Sequence, residues 1–154
     1  MAQRVKQIGL VAAAKVRRGG VCQAREQFER SPVFRRARDY CERTYDEWYI
    51  LSAEHALLTP QQVIGPDGAH LHMVATEKRL RWAKQVAESL AERQRQSTEP
   101  LVFVLYASQR YAELLLRVAP DMPLEQPLSG MALRERVRWF DERLQVRSRL
   151  LHTH

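Results

Sequence analysis

The chain has 154 residues, enough for one domain with a real core and too few for two comfortable ones. A hydrophobic share of 45% argues against global disorder, and no apolar stretch reaches the length of a membrane span. Lysine and arginine number 25 against 18 acids, a net charge of +7 that favours a polyanionic partner, nucleic acid first. Most of these cations are arginine, which suits bidentate phosphate contacts.

Taken in order, Val5 to Ala13 is an apolar run with few breaks and reads as a strand covered on both faces. Lys15, Arg17 and Arg18 follow it in place of a cleavage site, so the start is read as a buried strand rather than a signal peptide, with a cytoplasmic location as the default. Val16 to Arg30 is polar, contains Gly19-Gly20 and reads as a loop. Ser31-Pro32 opens a helix running to about Thr44, with serine as N-cap and proline where its missing N–H costs nothing. Phe34, Ala37, Cys41 and Tyr45 form its apolar stripe.

Trp48 to Ala53 is the second strand, and the loop TPQQVIGPDGAHLH follows the apolar residues Ala56 to Leu58. A long helix covers about Met73 to Gln94, with Leu80, Ala83, Ala87 and Leu90 inward. Leu101 to Tyr106 is the clearest strand, and Ser108 N-caps the helix after it. Leu124 to Leu128 is a short fourth strand weakened by Pro127, and a last helix runs from about Ala132 to Leu150. Strands alternating with crossover helices define a single α/β domain: a three-layer α/β/α sandwich around about four mostly parallel strands.

Open parallel sheets bind ligands at the carboxyl ends of their strands, near the point where strand order reverses. That rule selects Lys15 after the first strand, Ser52, Glu54 and His55 after the second, Ser108 after the third, and Leu128-Ser129-Gly130 at the end of the fourth. Each has a plainer reading: Ser52 as a turn cap, Glu54 as a solvated acid, His55 as a satisfied interior imidazole. Arg17 and Arg18 beside Gly19-Gly20 are placed to cradle a phosphate but lack P-loop spacing, and Ser108 with Arg110 marks a helix start suited to an anion. Arg134 and Arg138, one turn apart on the last helix, extend a basic surface on which Trp139 also lies. His70-Leu71-His72 lacks an obvious third metal ligand, and neither a metal nor a cofactor is expected. Cys22 and Cys41 are too few for a disulfide framework, and Cys41 reads as a buried free thiol.

The segment YDEWYILSAEHALLTPQQVI resembles the one that defines an uncharacterised bacterial family of small α/β domains, whose members read L-S-A-x-H-G-L-L before a D-x-V-I-x-P-Y-D turn. SPVFRRARDY and PLSGM…RVRWF fit as well, so the resemblance covers nearly the whole chain. In layout such domains are similar to YaaA-like and uracil-DNA glycosylase-like proteins, which implies a four-stranded parallel sheet and contact with nucleic acid or a nucleobase. Three departures stand out. A G-C-x-K-like turn in the relatives is Ala12-Ala13-Ala14-Lys15 here, the glycine after the histidine is Ala56, and the P-Y-D turn is Pro66-Asp67-Gly68.

Three functions follow as expectations. The first is a nucleic-acid-acting domain related to base-processing N-glycosidases, with Lys15, Ser52, Glu54 and His55 around a strand-end pocket and arginines on phosphates. The second is a non-enzymatic DNA- or RNA-binding module, motivated by the lost thiol and glycine. The third is an enzyme acting on nucleotides or nucleosides, with Arg17, Arg18 and Arg110 on the phosphate. No membrane partner is expected, and the sequence sets no oligomeric state.

Overall fold

β1 (Lys6–Ala12) alternates its side chains between two apolar faces, as a strand buried on both sides must. The computed structural model describes residues 4–66, Gly68 and 75–152, the side chains of 146–152 excepted. After β1 come β2 (Cys22–Gln23), α1 (Ala24–Gln27), α2 (Pro32–Thr44), β3 (Trp48–Ser52), β4 (Ala56–Leu58) and β5 (Val63–Ile64). The chain continues through α3 (Thr76–Arg95), β6 (Leu101–Tyr106), α4 (Gln109–Val118), β7 (Leu124–Glu125) and α5 (Leu133–His152).

The main sheet has the order β4-β3-β1-β6-β7. β1 pairs in parallel with β3 on one side and β6 on the other, and β6 pairs in parallel with β7. Ile8 and Leu10 of β1 with Leu101, Phe103 and Leu105 of β6 face α3 and α4, packing on Trp82, Val86, Leu90 and Leu115. Val11, Ile50, Val104 and Tyr106 face the other way, toward α2 and α5, with Phe34, Cys41 and Phe140. The result is the expected three-layer α/β/α arrangement. Gly9 lets α2 approach β1 closely: a Cβ there would stand 2.9 Å from both Cys41 Sγ and Tyr45 Cδ2.

Two parts differ from the sequence expectation. Residues 16–30 are not all loop: β2 pairs antiparallel with β5 in a separate two-stranded sheet, and α1 buries Ala24 and Gln27. The buried Gln27 amide ties the segment down, accepting from Gly19 N at 3.1 Å and donating to Gly20 O at 3.0 Å. Its polar sequence hides this order, because only Ala24, Gln27 and Phe28 are buried among loop-like neighbours. The fifth strand, β4, was also unexpected. It pairs antiparallel with β3 across the short turn Ala53–His55, with Leu51 opposite Leu57. The turn is closed by Ala56 at φ 60, a left-handed conformation that favours glycine. The remaining bounds moved little: β7 ends at Glu125, before Pro127, and Met73 lies outside the described residues. Cys41 is a buried free thiol, as expected.

At the amino end of the strands one carboxylate joins three elements. Arg93 of α3 grips Glu47 through two bonds of 2.7 and 2.8 Å, Lys6 of β1 adds a third at 3.1 Å, and the Tyr49 hydroxyl donates a fourth. The Arg93 hydrogen bonds, followed by those of Tyr49 and Lys6, outweigh desolvation and lower the Glu47 pKa from 4.5 to about 2. A lowered folded-state pKa gives stability that is complete above the unfolded value and is lost as pH falls through the folded one. On that basis Glu47 contributes on the order of 3 kcal/mol near neutrality. Chemical denaturation is therefore expected to show wild-type stability falling between about pH 5 and pH 2. A Glu47→Gln variant should be less stable at neutral pH and lose much less over that interval. Parallel pH curves for the two proteins would contradict this.

Candidate ligand site: the cleft between β1 and β6

The chain leaves β1 toward β3 on one side, then returns past β1 to β6 on the other. Strand order therefore reverses between β1 and β6, and the loops leaving their carboxyl ends part to opposite faces of the sheet. A cleft of about 470 Å³ lies there. Its floor is Val11 and Ala12-Ala13-Ala14. Lys15 and Arg136 bring the charges, Ser31 and Ser108 the hydroxyls, and Val33, Phe34, Tyr111 and Leu133 apolar surface. Tyr106 also lines it, with its hydroxyl 2.5 Å from that of Tyr45. Burial, then the Tyr45 hydrogen bond, raises the Tyr106 pKa far above its ordinary value, so this phenol stays protonated.

Two helices, α2 and α4, begin at this cleft, and their starts differ. The Ser31 hydroxyl caps α2, accepting from Phe34 N at 3.3 Å, while Arg35 N bonds to Ser31 O at 3.0 Å and Pro32 has no N–H to satisfy. Ser108 has the same extended backbone at the start of α4 but makes no capping bond. Its Oγ is buried without a hydrogen-bond partner. Neither α2 nor α4 has an acid in its first turn, and both carry arginine there, Arg35 and Arg110. Cations at a helix N-terminus oppose its dipole, each by a few tenths of a kcal/mol to about 1. The start of α2 is capped in the ordinary way, whereas that of α4 is not.

The sequence candidates fall into separate groups. Lys15 and Ser108 line the cleft, and Arg110 sits on the first turn of α4 beside it. Ser52, Glu54 and His55 belong to the β3–β4 hairpin and are not part of the cleft lining. Ser52 is buried and its Oγ accepts from His55 N at 3.3 Å, a turn-capping role. Glu54 and His55 are exposed, with His55 Nε2 3.7 Å from Glu54 Oε2. Arg17 packs over the Phe28 ring at 4.9 Å, with Nη1 buried and unbonded. A Cβ on Gly68 would lie 3.1 Å from Arg17 Nη2 and collide with Glu54 Oε2. Arg18 is occupied by Glu26 and Glu29 at 3.2 and 3.6 Å. Arg134 and Arg138 are exposed on α5, about half a turn round the helix from the lining residue Arg136, and are not part of the cleft lining.

Sequence reasoning missed Ser31, Arg136 and the apolar walls as site residues. The signal for Ser31 was available: the helix following the first strand of a doubly wound sheet opens at the switch point. Arg136 was visible only as one of many α5 arginines. His70 and His72 lie outside the described residues. Among the described residues no three His, Cys, Asp or Glu side chains group closely enough to hold a metal ion. Nor is any described helix long and apolar enough to cross a membrane.

The fold and cleft define a doubly wound α/β domain with a crevice at its switch point. The chain belongs to the DUF6884 family, a family of unknown function, whose model matches residues 8–142. Neither a curated protein nor a solved structure matches it.

The two serines make opposite predictions. Ser31→Ala removes a working cap and is expected to cost about 1 kcal/mol. Ser108→Ala removes a buried hydroxyl that bonds nothing, so the ligand-free protein should be as stable as wild type or more stable, by up to about 1 kcal/mol. Denaturant midpoints of the two variants check this. A loss at Ser108 equal to that at Ser31 would show an ordinary cap at both.

Proposed function

We propose that the β1–β6 cleft binds a nucleotide through its phosphate. The observation that carries the reading is the start of α4. There the unbonded Ser108 hydroxyl stands at the start of a helix that opens beside a crevice lined by Lys15 and Arg136. The crevice volume is in the range of small-ligand sites. Val33, Phe34, Tyr111 and Leu133 make part of its lining apolar, with Phe34 and Tyr111 almost wholly buried behind it.

Binding is favoured over base-processing chemistry. N-glycosidase action would need a carboxylate or imidazole to orient water beside the ligand. The cleft lining has neither among the described residues, while Glu54 and His55 stand on the hairpin of the neighbouring strand. The Ala12-Ala13-Ala14 turn offers no nucleophile, but its small side chains let a ligand approach the backbone closely.

Isothermal titration tests the reading. Uridine and adenosine 5′-monophosphates are expected to bind, and the corresponding nucleosides to bind at least tenfold more weakly. Lys15→Ala and Arg136→Ala should each weaken the monophosphates about tenfold, the loss of one charge-assisted contact. Equal affinity for nucleosides, or no change in either variant, would count against the phosphate site.

A further inference from the structure

We infer that the cleft takes nucleoside monophosphates whatever their base, with Leu133 against the base and Arg136, one turn further along α5, on the phosphate. This rests on the nucleotide reading of the cleft and names the ligand class within it. Leu133 is the first residue of α5, and it lines the crevice together with Arg136. Residues three apart on a helix are neighbours on one face, with Cβ atoms about 5–6 Å apart. Exposure separates Leu133 from the other large apolar side chains of the lining. It is 61% exposed, whereas Phe34 and Tyr111 are 2% and 4% exposed and Val33 is half-buried. A base entering the crevice finds its apolar contact at Leu133, and covering that side chain removes apolar surface from water.

The turn before α5 holds the cation in place. Gly130 has φ 77, and Met131 N bonds to Leu128 O at 3.1 Å. Arg136 Nε donates to Met131 O at 3.1 Å. A guanidinium held through Nε still has both terminal nitrogens to offer a phosphate. Reading a base needs a different kind of group. Bases differ in the donors and acceptors along their edges, and the amino groups of adenine, guanine and cytosine call for an acceptor. Lysine and arginine only donate. Among the described residues the lining has no aspartate, glutamate, asparagine, glutamine or histidine. Its hydroxyls are engaged otherwise: that of Ser31 accepts from Phe34 N, that of Tyr106 pairs with Tyr45, and that of Ser108 is assigned to the phosphate. Apolar contact without side-chain recognition of the base edge admits every base.

Isothermal titration on the full chain compares the 5′-monophosphates of adenosine, guanosine, cytidine and uridine with ribose 5-phosphate. The four nucleotides are expected to bind within about fivefold of one another, and ribose 5-phosphate about tenfold more weakly, the loss of one apolar contact. Leu133→Ala should weaken all four nucleotides about tenfold and leave ribose 5-phosphate within about twofold, while Leu133→Met keeps wild-type affinity. Leu133 is exposed, so thermal melts of both variants should match wild type. A preference of more than about tenfold for one base overturns the inference, as does an unchanged nucleotide affinity in Leu133→Ala or an equal loss for ribose 5-phosphate. In each of those cases the phosphate site stands. If neither the nucleotides nor ribose 5-phosphate bind, the cleft reading itself fails.

Discussion

The structure depends on the parallel pairing of β1 with a strand on each side. A strand so placed has no free edge and no solvent face, which explains why Ile8, Leu10 and Val11 are all buried. It also fixes the topology. Crossovers that leave β1 and β6 in opposite directions must part at their carboxyl ends, and the crevice is the gap between them. Gly9 permits the close packing of α2 on one face, which brings the start of that helix to the same crevice.

Electrostatics divides the molecule by end. At the amino ends of the strands, Glu47 gathers Arg93, Lys6 and Tyr49 into a satisfied network. A hollow of about 360 Å³ there is lined by Glu42, Asp46 and Glu47, a poor place for an anion. At the carboxyl ends the pattern inverts. Two helix starts open without first-turn acids, and one leaves a buried hydroxyl unbonded. A buried unbonded hydroxyl costs stability, and on the proposed reading its place at the switch point is explained by a ligand.

Much of this was legible in the sequence. The run Leu101–Tyr106 and the Ser31-Pro32 helix start were read with nearly correct bounds, because continuous apolar runs and proline at the first helical position have few other meanings. The three-layer α/β class followed from the alternation of strands and helices. The β3–β4 hairpin was not legible in the same way, since Ala56 occupies a left-handed turn position where glycine would have announced it. That error carried into the site. With β3 read as ending in an open loop, Ser52, Glu54 and His55 looked like cleft residues, whereas the turn places them on the hairpin. Lys15 and Ser108 do line the β1–β6 cleft, because the strand-end rule that picked them depends on topology alone. The pairing of Arg18 with Glu26 and Glu29 depends on the folding of residues 16–30, which their polar composition concealed.

The central claim is that the unsatisfied start of α4 is an anion site, and backbone NMR tests it most directly. Titration with uridine 5′-monophosphate is expected to shift the amide resonances of Gln109, Arg110 and Lys15 first and furthest, with those shifts lost in Ser108→Ala. Shifts centred instead on Glu54 and His55, or spread without focus over the basic surface, would contradict the account.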